Sequence, residues 1–136
     1  MFTMCYTRSS ITDISLFRKS ELRDEGGNKM GKIMAVNISE KKGTQKKNVH
    51  SARLMEEFGI EKDAHAGKWH RQVSLLSYEK IEEFKAKGAP IEDGAFGENL
   101  IVSGYDLKAL PVGTRLRSGE VLLEVTQIGK KCHSGC

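Results

Sequence analysis

A mainly β fold, a barrel or sandwich carrying one short helix, is what this sequence predicts. Short apolar runs recur with glycine turns between them, only one stretch keeps a helical period, and strands do not alternate with helices as a doubly wound sheet requires. The chain has 136 residues, 38% apolar and 29% charged, with 14 Gly and only 2 Pro, which suits one globular domain with a modest core.

Residues 1–29 show no sustained period and end in Glu25-Gly26-Gly27-Asn28-Lys29, so they read as a flexible extension, with the domain itself at 30–136. In 32–38, Ile33, Ala35 and Asn37 alternate with Met34, Val36 and Ile38, a mostly apolar run that suits a buried strand. The next loop carries Lys41, Lys42, Lys46 and Lys47 around Gly43 and reads as solvated. A strand at 71–77 ends in Ser77, which can cap a helix running to about Lys87. Tyr78, Ile81 and Phe84 share one face of that helix, Glu79, Glu82 and Glu83 load its start, Lys85 and Lys87 its end, and Gly88 stops it. After Pro90 come short strands at 98–102, 114–117 and 120–128, the last two joined at Ser118-Gly119, a hairpin signal.

Composition excludes some functions. The longest apolar stretches, 73–76 and 121–125, fall far short of the roughly 18 to 20 residues of a membrane span. The first twenty residues mix apolar with polar side chains and form no secretory signal, so the cytoplasm is the expected location. A net charge of +4 attracts anions only in patches, and permits nucleic-acid binding without implying it. Cysteines number 3, namely Cys5, Cys132 and Cys136, and an odd count in this compartment points to thiol chemistry before a disulfide framework.

Three segments can carry chemistry. In Gly129-Lys130-Lys131-Cys132-His133-Ser134-Gly135-Cys136 a thiol follows a strand and lies between lysines and a histidine. Positive charge favours the thiolate, the form that attacks sulfur or binds a soft metal, and Cys136 could resolve an adduct on Cys132; a terminal cysteine with no task is the alternative. Zinc held by Cys132, His133 and Cys136 with His50, His65 or His70 is not expected, because the spacings match no zinc finger and no helical pair. Asp63-Ala64-His65-Ala66-Gly67-Lys68-Trp69-His70-Arg71-Gln72 has no apolar period. Either Asp63 and His65 bond local backbone while Trp69 covers the barrel end, or Lys68, His70 and Arg71 form a wall that recognises phosphate through the guanidinium fork. Gly94-Ala95-Phe96-Gly97-Glu98-Asn99-Leu100 marks a special turn, neither a GxGxxG motif nor a P-loop, with Glu98 and Asn99 as turn-stabilising groups or as a pocket rim.

These segments, together with Trp69-His70-Arg71-Gln72-Val73-Ser74-Leu75-Leu76-Ser77, Leu110-Pro111-Val112-Gly113-Thr114 and Val125-Thr126-Gln127-Ile128-Gly129-Lys130-Lys131-Cys132-His133, resemble the MOSC domain, named for the C-terminal domain of molybdenum cofactor sulfurases. The resemblance covers about 30–136 and is nearest to small stand-alone bacterial MOSC proteins. It implies a strand-rich barrel whose cysteine, matched by Cys132, carries sulfur as a persulfide or ligates molybdenum in the bound pterin cofactor. With the residue reading it assigns cofactor contacts to Asp63, His65, Lys68, His70, Arg71, Gly97, Glu98 and Asn99. Partners implied are a pyridoxal phosphate-dependent cysteine desulfurase as sulfur donor and a molybdenum enzyme or cofactor-biosynthesis protein; the pyridoxal phosphate belongs to the desulfurase and is not held covalently here. Some relatives reduce N-hydroxylated compounds with molybdenum, so a reductase is an alternative. A second alternative is a non-catalytic module binding nucleic acid or protein through the basic loop 41–47, although no aromatic residues interleave there to stack on bases.

Two departures from the family pattern stand out. Glu61-Lys62 replaces the glycine that usually precedes the aspartate, and relatives continue past the position of Cys136. The chain therefore resembles a C-terminally truncated domain, with an incomplete barrel and 120–128 expected as an unpaired edge.

Overall fold

The barrel strands of this chain each give apolar side chains to one cluster, around which they close into a ring. The computed structural model describes residues 5–9, 15–18, 21–25, 29–39, 41, 46–49, 51–55, 58–61, 63–64, 66–67, 72–88, 90–92, 94, 98–118 and 121–129. In chain order the strands are β1 (Cys5–Ser9), β2 (Ser15–Arg18), β3 (Glu21–Asp24), β4 (Met30–Ile38), β5 (Lys47–Val49), β6 (Ser51–Met55), β7 (Gly59–Ile60) and β8 (Val73–Ser77). Helix α1 (Tyr78–Ala86) follows, then β9 (Leu100–Ser103), a 3-10 turn at Leu107–Ala109, β10 (Arg115–Ser118) and β11 (Val121–Ile128).

Seven strands form a closed barrel in the order β3-β10-β11-β1-β8-β9-β4, sealed by pairing of β3 with β4, while β5 adds to β4 outside the ring. A separate small sheet has the order β2-β6-β7. Among the described residues only β8 and β9 pair in parallel, and α1 supplies the crossover that parallel neighbours need. Ser77 caps α1 by accepting the Lys80 N–H at 3.3 Å. The predicted mainly β class with one short helix is therefore the fold.

Every barrel strand feeds one apolar cluster, including Cys5, Leu22, Ile33, Leu75, Val102, Leu116 and Leu123, which places that cluster inside the ring. A second cluster of Ala35, Leu76, Ile81 and Ile101 packs α1 against the outer face of β4, β8 and β9. Burying such side chains stabilises by roughly 1.5–3 kcal/mol each against leaving them exposed.

Two expectations fail here, for one reason. The first 29 residues are not a flexible extension where they are described: β1 lies between β11 and β8, with Cys5 opposite both Ile128 and Leu75, and β3 closes the ring. For the same reason the segment at 120–128 is no open edge, since β10 covers one side and β1 the other. β1 buries Cys5, Tyr6 and Thr7 alike, on both of its faces, so it shows no alternation, and the Thr7 hydroxyl is satisfied by donating to the Val73 carbonyl at 2.9 Å. β3 carries one apolar residue, Leu22, among three charged ones, too little to signal a strand by pattern. The Tyr105 hydroxyl stitches this region to the rest, 2.9 Å from the Leu22 carbonyl and 2.8 Å from that of Lys29. Gly31 makes room for that ring, because a Cβ there would overlap it and the Ser103 carbonyl.

Among the described residues no helix is long and apolar enough to cross a membrane.

Candidate functional site

β4 ends where β8 and β9 begin, and at this junction the sequence turns from apolar to polar without turning to solvent. Asn37, Lys46, Asp63, Gln72, Ser74, Glu98 and Asn99 are all buried. Buried polar groups must be bonded or they cost free energy, so the bonds decide what each side chain does.

Asn99 works as one rung between two strands. Its Oδ1 accepts the Ser74 N–H at 3.0 Å, its Nδ2 donates to the Asn37 carbonyl at 3.0 Å, and its backbone N–H donates to the Ser74 carbonyl at 2.9 Å. Glu98 accepts the Gly94 N–H on Oε2 at 2.8 Å, closing the Gly94 turn. Gly94 has φ of 82°, and a Cβ at that position would overlap the Lys46 carbonyl, so this crossing of two chain segments admits only glycine. The Gly94 carbonyl in turn accepts the Lys46 N–H at 3.3 Å.

Lys46 is the largest surprise. The loop reading placed it in solvent with Lys41 and Lys47; those two are exposed, but Lys46 is 1% exposed and its ammonium donates to Asp63 Oδ1 at 2.6 Å. The same carboxylate oxygen accepts the Ser39 N–H at 3.1 Å, and the Ser39 carbonyl accepts the Ala64 N–H at 2.7 Å. Asp63 thus begins its segment as an extension of the end of β4. The Gly67 N–H, donating to the Phe58 carbonyl at 2.7 Å, fixes the segment a second time.

Of the residues assigned to the site from sequence, Asp63, Glu98 and Asn99 come together here, each buried and bonded to protein groups: Glu98 closes a turn, Asn99 bridges two strands, and Asp63 holds Lys46 and the Ser39 N–H. Cys132, His65, Lys68, His70, Arg71 and Gly97 lie outside the described residues, as do Cys136 and His133. Lys46, Ser39, Ser74 and Asn37 belong to the junction and were missed. One lysine among four in a basic loop carries no mark of burial; the available signal was Asp63, which needs a partner if it is inside.

Among the described residues Asn37 is the one orphan. Its backbone N–H donates to the Asn99 carbonyl at 2.6 Å, yet neither its side-chain Nδ2 nor its Oδ1 has a partner among the described residues, although the residue is 0% exposed. Such an amide offers the two N–H donors of Nδ2 and the acceptor Oδ1 to a polar group brought to this junction.

Cys5 is excluded from thiol chemistry. It is 0% exposed inside the barrel, and burial pushes its thiol up to about 12, so at neutral pH it is protonated and enclosed.

Comparison with known families agrees with this architecture. The model described as the MOSC domain matches residues 62–136, from the residue before Asp63 to the last cysteine. The chain belongs to the MOSC domain family, whose members are associated with the molybdenum cofactor. No curated protein and no solved structure matches it. The match starts inside the barrel: β1, β3 and β4 precede it and complete the same ring.

Proposed function

We propose that this chain handles the molybdenum cofactor in the cytoplasm and that Cys132 is its working atom, as the bearer of a persulfide or as a sulfur ligand to molybdenum. The observation that carries the reading is the family match over 62–136, which includes Cys132 with Lys130, Lys131 and His133 beside it. Those cations favour the thiolate that either role needs.

As a carrier, the Cys132 thiolate attacks the outer sulfur of a persulfide on a cysteine desulfurase. A new sulfur–sulfur bond forms at Cys132, the desulfurase cysteine leaves as a thiolate, and no outside electrons are required. The acceptor is a molybdenum enzyme or the cofactor it receives. As a ligand, the same soft sulfur suits a thiolate-rich molybdenum site.

The residues at the junction suit a polar, anionic pterin cofactor, since the unpartnered Asn37 amide can both donate and accept. Lys68, His70 and Arg71, with His65, supply cationic and hydrogen-bonding groups for its phosphate, and the Gly97 backbone permits close approach. Asp63, Glu98 and Asn99 hold this frame in place. When bound, the cofactor would supply a metal centre that takes up sulfur and exchanges electrons.

The test is intact mass after incubation with a cysteine desulfurase and cysteine, with and without reductant. The wild type is expected to gain about 32 Da, removable by reductant, and Cys132→Ala to gain nothing. Retained gain in Cys132→Ala overturns the carrier role, while no gain in any chain together with molybdenum retained by the wild type alone assigns Cys132 to the metal.

A further inference from the structure

A lysine buried to 1% exposure is rare, because its ammonium leaves water at large cost and must find a fixed counter-charge. Lys46 finds Asp63 at 2.6 Å, with the Asp63 side chain 0% exposed. A buried ion pair is weak support for stability, since apolar side chains of similar volume commonly serve a core as well or better. What the pair does supply is geometry: one ammonium and one backbone N–H, that of Ser39, converge on a single oxygen of the Asp63 carboxylate.

Three stretches of chain meet at this oxygen. Ser39 brings the end of β4, Lys46 brings the start of β5 together with the Gly94 turn that bonds its own N–H, and Asp63 brings the segment that continues to Gly67. Glu98 and Asn99 connect the Gly94 turn onward to β8 and β4. We infer that Lys46 is a positioning residue: its ammonium locks Asp63, Ala64 and Gly67 onto the end of β4, and so serves the cations Lys68, His70 and Arg71 that follow in the sequence. The last clause rests on the proposed reading in which those cations serve the cofactor; the locking of Asp63, Ala64 and Gly67 does not.

The experiment compares full-length wild type with Lys46→Met and with Lys46→Met/Asp63→Leu, the double variant removing both charges so that no ion is left buried alone. Residue-resolved amide exchange is read at Ala64 and Gly67, whose N–H groups bond Ser39 and Phe58, against Leu75 and Leu123 in the barrel wall. In the double variant the two segment amides are expected to exchange at least about tenfold faster while the wall amides keep their rates. Unchanged exchange at Ala64 and Gly67 overturns the inference, as does a uniform rise across the wall, which would make the pair a general stabiliser. If Lys46→Met alone does not fold, the double variant still decides the question.

A second arm measures uptake of molybdenum cofactor released from a donor enzyme. Weaker uptake by the double variant, by about tenfold or more, is expected. Equal uptake by both proteins overturns the link between Lys46 and the cofactor cations, whereas no uptake by the wild type itself counts against the proposed function and leaves the exchange result to judge Lys46.

Discussion

The barrel interior and the junction at the end of β4 are buried to the same degree by opposite means. Inside the ring, Leu75, Leu100, Leu116 and Leu123 are 0% exposed and belong to one apolar cluster; at the junction, Glu98 and Asn99 are equally buried and bond specific backbone groups, Glu98 that of Gly94 and Asn99 those of Ser74 and Asn37. Apolar contact is non-directional and tolerates substitution by similar volumes, so it closes a barrel without dictating a loop. Charge and hydrogen bonding are directional and punish a missing partner, so they place a segment at the expense of stability. The difference assigns stability to one region and placement to the other.

That division is breakable. The largest effect expected from the interior alone is Leu123→Ala, which should lower unfolding free energy by about 2–5 kcal/mol in urea while leaving the Lys46–Asp63 pair formed; a loss below ~1 kcal/mol would mean that the ring is not the stabilising unit.

Cys5 sharpens the contrast between the chain's thiols. With its native thiol held up to about 12 and an unfolded thiol ionising near ~8.5, the folded state keeps a proton that the unfolded state loses. Stability should therefore fall as pH rises between those values, and the slope should shrink in Cys5→Ala. Iodoacetamide at about pH 8 should modify Cys5 only after unfolding, and label on native Cys5 would show that β1 is not the central strand described.

The smallest effect belongs to the outer layer. Ser77→Ala removes the cap on α1 and should cost about 1 kcal/mol, read as a shift in urea midpoint with no change in exchange at Ala64 or Gly67.

Much of the ring was legible because its strands carry their own period or turn chemistry. The hairpin of β10 and β11, the cap at Ser77 and the apolar run of β4 follow from residue order alone. β1 and β3 were not legible, since a strand buried on both faces shows no alternation and a strand with one apolar residue shows no run. Their membership is a fact of long-range pairing, Cys5 with Ile128 and Arg23 with Arg117. In the site, Asp63, Glu98 and Asn99 stood out because polar residues crowd glycines there, but the sequence could not say that they turn inward. Lys46 was hidden for a related reason: burial of one lysine in a basic loop is decided by a carboxylate seventeen positions away.

The most direct test of the central claim, that polar burial at the junction places and apolar burial stabilises, is a double-mutant cycle in urea on Lys46→Met and Asp63→Leu. Each single change should cost about 3–5 kcal/mol by stranding the other charge, and the double variant should return to within about 1 kcal/mol of wild type. A double variant that stays as destabilised as either single one would contradict the account, because the pair would then be holding up the barrel itself.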